Sequence, residues 1–362
     1  MAATDATGAG QSAKGPLDQS EIDKLERELD AEVRFRPLGP AAGVIVAGLL
    51  LALSLFHYYT AGFGLLPETT HRGIHIAFVL GLIFLVFPAR TSATPMAGLS
   101  GLRVKHAVIA AVLVILLYLG PISTGDLALM SAEHWWLAAA AVVLLVGSYL
   151  TSHGGAPTPG LLTPLGISIF DWVMMIGAVI ASLYVPWVFH DLQFRVGNPL
   201  AIDWVMGTIM VVLLLEACRR SVGWPLPIIA IVLILYALYG RSLPGILQHP
   251  GNQWKGVINH LYLTSQAIFG VALGVVATFV FHYVLFGVLA TRMGLGRFFI
   301  DLATALTGRF SGGPAKVSIF GSGLFGMISG SSIANTVTVG SLTIPAMIRI
   351  GYPRHFAGAV ES

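Results

Sequence analysis

A chain of 362 residues that is 56% hydrophobic and only 10% charged, with mean hydropathy +0.81, reads as an integral membrane protein, since soluble domains carry roughly 25% charged residues. The net charge of +3 and pI near 9.0 do not imply a nucleic-acid partner, because membrane proteins keep surplus Lys and Arg on cytoplasmic loops. One cysteine, Cys218, excludes an intrachain disulfide and a cysteine-based zinc site.

Residues 1–40 read as a cytoplasmic N-terminal segment. "MAATDATGAGQSAKGP" lacks the basic-then-apolar form of a signal peptide. In "SEIDKLERELDAEVRFRP", Ser20 fits an N-cap, and Ile22, Leu25, Leu29 and Val33 share one helix face. That pattern suits a docking helix or, the reading preferred here, a solvated lead-in whose Arg34 and Arg36 anchor at the inner headgroups.

Apolar stretches of spanning length then follow at about 41–60, 73–89, 106–121, 134–150, 168–188, 200–217, 224–240 and 269–291. Backbone groups in lipid must be satisfied within the segment, so helices are expected. The clusters Lys24/Arg27/Arg34/Arg36, Arg90/Arg103/Lys105, Arg219/Arg220 and Arg292/Arg297 all fall on one side if the N-terminus is cytoplasmic. Arg72, Arg195, Arg241 and Lys255 are exceptions. The loops 60–72 and 189–199, with Glu68 and Asp191, fall on the outer side by the same parity, and Trp135, Trp136, Trp187 and Trp224 near span ends suit headgroup anchoring.

The character of the chain changes after "SVGWPLP". Residues 41–220 form ordinary scaffold-like helices, whereas glycine and small polar residues thicken over 221–362. The densest stretch is "GMISGSSIANTVTVGSLTIP", Gly326 to Pro345. Arg309 and Lys316 precede it and Arg349 and Arg354 follow it, so both ends belong on the cytoplasmic face and a re-entrant helical hairpin is expected, turning within Gly330 to Asn335. Its arms, about 315–328 and 333–348, would bring a helix C-terminus and a helix N-terminus together at the tip. Hydroxyls and the Asn335 amide offer neutral oxygens for a hard cation such as sodium. The alternative is plain packing, since small residues also let helices approach closely.

"GGPAKVSIFGSGLFGMISGSSIANTVTVGSLTIPAMIRIGYPRHFAGAVES" resembles the first hairpin region of the large membrane subunit of the TRAP transporters, the tripartite ATP-independent periplasmic systems. The preceding "IFGVALGVVATFVFHYVLFGVLATRMGLGRFFIDLATALTGRFSGGPAK" is similar to the fused permeases of the TAXI subfamily. The resemblance implies an all-α polytopic membrane protein of about eight transmembrane helices plus one re-entrant hairpin, the first half of an inverted-repeat ion-transporter fold. It implies sodium-coupled, elevator-type uptake of a carboxylate handed over by an extracytoplasmic binding protein, in a bacterial cytoplasmic (inner) membrane. Carried onto this sequence, it assigns Ser329, Gly330, Ser331, Ser332 and Asn335 to sodium and Thr336 and Thr338 to substrate. The only cofactor expected is the coupling ion. Family members continue into a second inverted half, so this chain is expected to be an N-terminal part of the transport machinery.

Two other classes compete. A membrane-embedded enzyme would draw on His57, His75, His106, His282, Glu216, Asp171 and Asp203, but these show no HExxH, GxSxG or Walker spacing, and no catalytic residue or transition-metal site is expected. A non-transporting scaffold would suit residues 41–220.

Overall fold

The computed structural model describes residues 35–89, 135–152, 160, 162–329 and 332–362. Among these the chain is helical, apart from one isolated bridge between Gly160 and Thr163. Six helical segments are long and apolar enough to cross a membrane: Pro40–Phe63, Glu68–Val86, Ile169–Trp187, Ala201–Ser221, Pro225–Ser242 and Val271–Ala290. They coincide with six of the expected spans. Of the other two, 134–150 is a shorter helix, Trp135–Thr151, and 106–121 lies outside the described residues.

The helices begin where local chemistry allows. α1 (Pro40–Phe63) opens on proline, whose missing N–H is one the first turn could not have used. α2 (Glu68–Val86) follows after a short connection, and α3 is Trp135–Thr151. α4 (Ile169–Trp187) is capped by Ser168, whose hydroxyl accepts from the Phe170 N–H at 3.2 Å. After α5 (Phe189–Arg195), α6 (Ala201–Ser221) is held at its start by Asp203, which accepts from the Leu200 N–H at 2.8 Å. α7 (Pro225–Tyr239) again opens on proline. α8 (Trp254–Ile258) runs into a π turn at Asn259–Leu263. α9 (Val271–Val275) continues through a second π turn, Val276–Val280, into α10 (Phe281–Arg292).

The chain divides into two compact units, one within Ala31–His282 and one whose described part is Tyr283–Ser362. In the first, α2, α4 and α6 pack around Leu80, Phe84, Met174, Ala178, Ala181, Met210 and Ala217, with Ile258 and Tyr262 closing one side. The Tyr262 hydroxyl donates to the Ala181 carbonyl at 2.6 Å, and burial pushes its pKa well above the usual phenol value. Large apolar side chains meanwhile point outward: Leu51 is 61% and Leu233 60% exposed. Apolar outside and polar groups paired inside is the arrangement lipid favours. This is a multi-pass membrane protein. Trp187, which ends α4, is 87% exposed, as headgroup anchoring requires.

A buried ionic network ties one end of this unit together. Asp171, in the first turn of α4, accepts from Arg36, from Arg220 at 2.9 Å and from Ser148 at 2.6 Å. Arg220 also bonds Glu216 at 2.8 Å and Ser148 at 2.9 Å, and lies over the Phe84 ring, while Arg219 bonds Glu216 and the Ala89 carbonyl. Ser152 accepts from Arg36 at 2.7 Å and from the Ala89 N–H at 3.0 Å. This corrects the expectation that Arg36 anchors at headgroups. It is only 5% exposed, because Asp171 and Ser152 draw it inward. Two exceptions to the charge rule find their reason here as well: Arg72 pairs with Glu68 and donates to the Phe269 carbonyl, and Arg195 pairs with Asp191 and Asp203.

Candidate functional site

The second unit contains the polar stretch. After α11 (Leu295–Thr307) come α12 (Gly313–Ser329) and α13 (Ser332–Arg349), and residues 330–331, within the stretch where the turn is expected, lie outside the described residues. α12 packs against α11, α13 and α14 (Arg354–Glu361). α13 carries Pro345 inside it and ends in a Schellman-type turn: Tyr352 N–H bonds the Met347 carbonyl at 3.1 Å, Gly351 N–H bonds the Ile348 carbonyl at 3.0 Å, and Gly351 has φ +108. A side chain at that φ would be strained, so glycine is needed there. Neither α12, of 17 residues, nor α13, of 18, is among the six apolar spanning segments.

Asn335 is the proposed site residue whose surroundings are best defined. Its Nδ2 donates across the hairpin to the Ser322 hydroxyl at 2.9 Å and the Ser322 carbonyl at 3.2 Å, stitching the first turn of α13 to α12. Its Oδ1 is buried with no partner among the described residues. A buried amide oxygen left without a donor is costly, and here it lies in the first turn of α13. Ser329 is the last residue of α12 and Ser332 the first of α13. Gly330 and Ser331 lie outside the described residues, as do the side chains of Ser329, Ser332 and Thr338. Thr336 is exposed.

Ser322 was not among the residues nominated from sequence. It is one serine among many, and only the antiparallel packing of the arms selects it.

The residues of the enzyme reading have other duties. Asp171 and Glu216 belong to the ionic network, and Asp203 caps α6 while accepting from the Tyr184 hydroxyl at 2.6 Å. His57 and His75 share a hydrogen bond of 2.9 Å, His282 Nε2 donates to the His57 carbonyl at 3.0 Å, and His71 Nε2 to the Ala277 carbonyl in the π turn at 3.3 Å. Phe281 stacks on His57 with ring centroids 4.1 Å apart. Among the described residues no three His, Cys, Asp or Glu side chains are placed to hold a metal ion. His106 lies outside the described residues.

The described residues thus form a helical membrane protein, and comparison with known proteins finds similarity to a transport family over its C-terminal part. Residues 209–362 match the family model "Tripartite ATP-independent periplasmic transporter, DctM component". The chain is 36% identical over 78 residues to the C4-dicarboxylate TRAP transporter large permease protein DctM of Rhodobacter capsulatus, an overlap of 22% of this chain and 18% of that protein. It is 29% identical over 139 residues to the protein of the same name from Vibrio cholerae, covering 36% of this chain and 31% of the relative. It is also 40% identical over 74 residues to the isethionate TRAP transporter permease protein DctMQ of Oleidesulfovibrio alaskensis, 20% of this chain and 12% of that one. The chain therefore spans less than a third of the length of each of these relatives. No solved structure matches it. The family and these relatives are transporter permeases, not enzymes.

Proposed function

We propose that this chain is a permease component of a TRAP transporter of the fused, TAXI type, in a bacterial cytoplasmic membrane with its N-terminus inside. It takes up an organic acid by sodium-coupled secondary transport, with an elevator-type movement of the hairpin-bearing module. Two further spans, at 106–121 and 134–150, bring the count to eight, residues 41–220 act as scaffold, and 221–362 begin the transport module. The relatives' names point to C4-dicarboxylates and isethionate as substrate types, both anionic. The extracytoplasmic binding protein docks on the outer loops that carry Glu68 and Asp191, whose side chains are exposed.

The observation that carries this reading is the buried Asn335 Oδ1, without a partner among the described residues, at the start of α13 within the stretch matched to the transport family model. Two arms that are not among the long apolar segments favour a hairpin that enters and returns on one side, since irregular backbone at membrane depth is tolerated where protein surrounds it. Sodium is then held at the tip by Asn335 Oδ1, the hydroxyls of Ser329, Ser331 and Ser332 and the Gly330 carbonyl, and Thr336 and Thr338 face the substrate.

Asn335→Ala is expected to raise the sodium concentration for half-maximal uptake at least tenfold while leaving the substrate concentration dependence at saturating sodium within about threefold. Ser322→Ala, which removes only one of the two acceptors of Nδ2 and keeps the Ser322 carbonyl, should shift sodium dependence less. Equal sodium dependence in Asn335→Ala and the unmutated chain would return the hairpin oxygens to a packing role.

A further inference from the structure

Glu361, on α14, is buried in the second unit with only 6% exposure. Its Oε2 accepts from the Ser318 hydroxyl on α12 and from the Thr343 hydroxyl on α13, the latter at 2.7 Å. Its Oε1 is buried and, among the described residues, has no hydrogen-bond partner and takes part in no ion pair. Each hydroxyl has one hydrogen, and that of Thr343 is also within 3.0 Å of the Val339 carbonyl, so it can serve only one acceptor at a time. Ser318, Val339 and Met347 are fully enclosed nearby. Room for the carboxylate comes from Gly340, where a Cβ would lie 3.1 Å from Glu361 Cγ.

A buried carboxylate with two neutral donors on one oxygen and nothing on the other lacks a countercharge. The polar groups bonded to it are both oxygens, Ser318 Oγ and Thr343 Oγ1. No nitrogen or sulfur ligand is among them. Oxygen-only sets select hard cations, and a single carboxylate calls for a single positive charge. If the hydroxyls turn their hydrogens away, they present lone pairs to an ion between α12, α13 and α14.

We propose that Glu361, Ser318 and Thr343 form a binding site for a monovalent metal cation, separate from the expected hairpin tip. Ser318 lies eleven residues before Ser329 in α12 and Thr343 eleven after Ser332 in α13, which at 1.5 Å per residue is about 16 Å along each helix. The site joins both arms to the following helix, so its occupancy would stiffen the module whether or not the tip binds an ion.

The test is binding of radioactive sodium to the purified chain, with thermal unfolding in sodium, potassium or choline chloride as a second readout. Glu361→Gln is expected to bind one equivalent of sodium fewer and to lose at least tenfold in sodium sensitivity of the midpoint, with Gly340→Ala weakened in the same direction. Glu361→Asp keeps the charge on a shorter reach and should retain a weakened response, which serves if the glutamine variant does not fold. Asn335→Ala should leave this equivalent in place, so failure at the tip and failure here are told apart. Unchanged sodium binding in folded Glu361→Gln or Glu361→Asp would overturn the proposal, as would a midpoint that follows pH and ignores sodium.

Discussion

Asp171→Asn is expected to be among the most damaging single substitutions in the chain, lowering stability by about 3–5 kcal/mol, the usual cost of removing one partner from a buried ion pair. The carboxylate is the shared acceptor of Arg36 and Arg220, and both guanidiniums are buried. Asparagine keeps the shape and the bond to Ser148 but not the charge. Arg220 would retain Glu216, whereas Arg36 would keep only Ser152. The lead-in to α1, the end of α2, α3, α4 and α6 all meet through this carboxylate, so the loss should appear as a lower unfolding midpoint in detergent and a lower yield of folded protein. The network is a clamp rather than a net gain over apolar packing. Replacing Arg36, Asp171 and Arg220 together by apolar residues should therefore cost less than Asp171→Asn alone, a non-additivity that a full mutant cycle would measure.

The second large effect concerns Gly207, where α6 meets the segment around the first π turn. A Cβ there would lie 2.4 Å from Ile258 Cγ2 and 2.9 Å from Tyr262 Cδ1. Both neighbours are fully buried, and Tyr262 is fixed at its far end by its bond to the Ala181 carbonyl, so neither can give way cheaply. Gly207→Leu should destabilise by about 3 kcal/mol, the upper range for overpacking a filled core. Gly207→Ala should cost less, and Tyr262→Phe, which removes only the hydroxyl, about 1 kcal/mol. A Gly207→Leu midpoint equal to that of the unmutated chain would show that α6 and this turn are not packed as described.

The long apolar segments were legible because spanning lipid demands one uniform property over many residues, which hydropathy reads directly. The polar stretch stood out for the opposite reason: Gly330 amid hydroxyls is a local exception in an otherwise apolar chain. Long-range pairing was not. Arg36 and Asp171 are 135 residues apart and nothing near either announces the other, so Arg36 read as a headgroup anchor. Arg72 and Arg195 looked like violations of charge topology, yet each has an acidic residue four positions earlier, Glu68 and Asp191, a pairing that helical spacing already contains. Glu361 escaped notice because a single carboxylate in "RHFAGAVES" looks like a solvated helix end. Its burial depends on Ser318 and Thr343, brought to it by two other helices.

The most direct measurement is uptake of radiolabelled C4-dicarboxylate and of a panel of other organic acids into proteoliposomes that hold the complete permease to which this chain contributes, with and without an inward sodium gradient and the extracytoplasmic binding protein. Accumulation of one organic acid only when sodium gradient and binding protein are both present is the predicted result. Accumulation indifferent to sodium, or none of any organic acid under any of these conditions, would contradict the account.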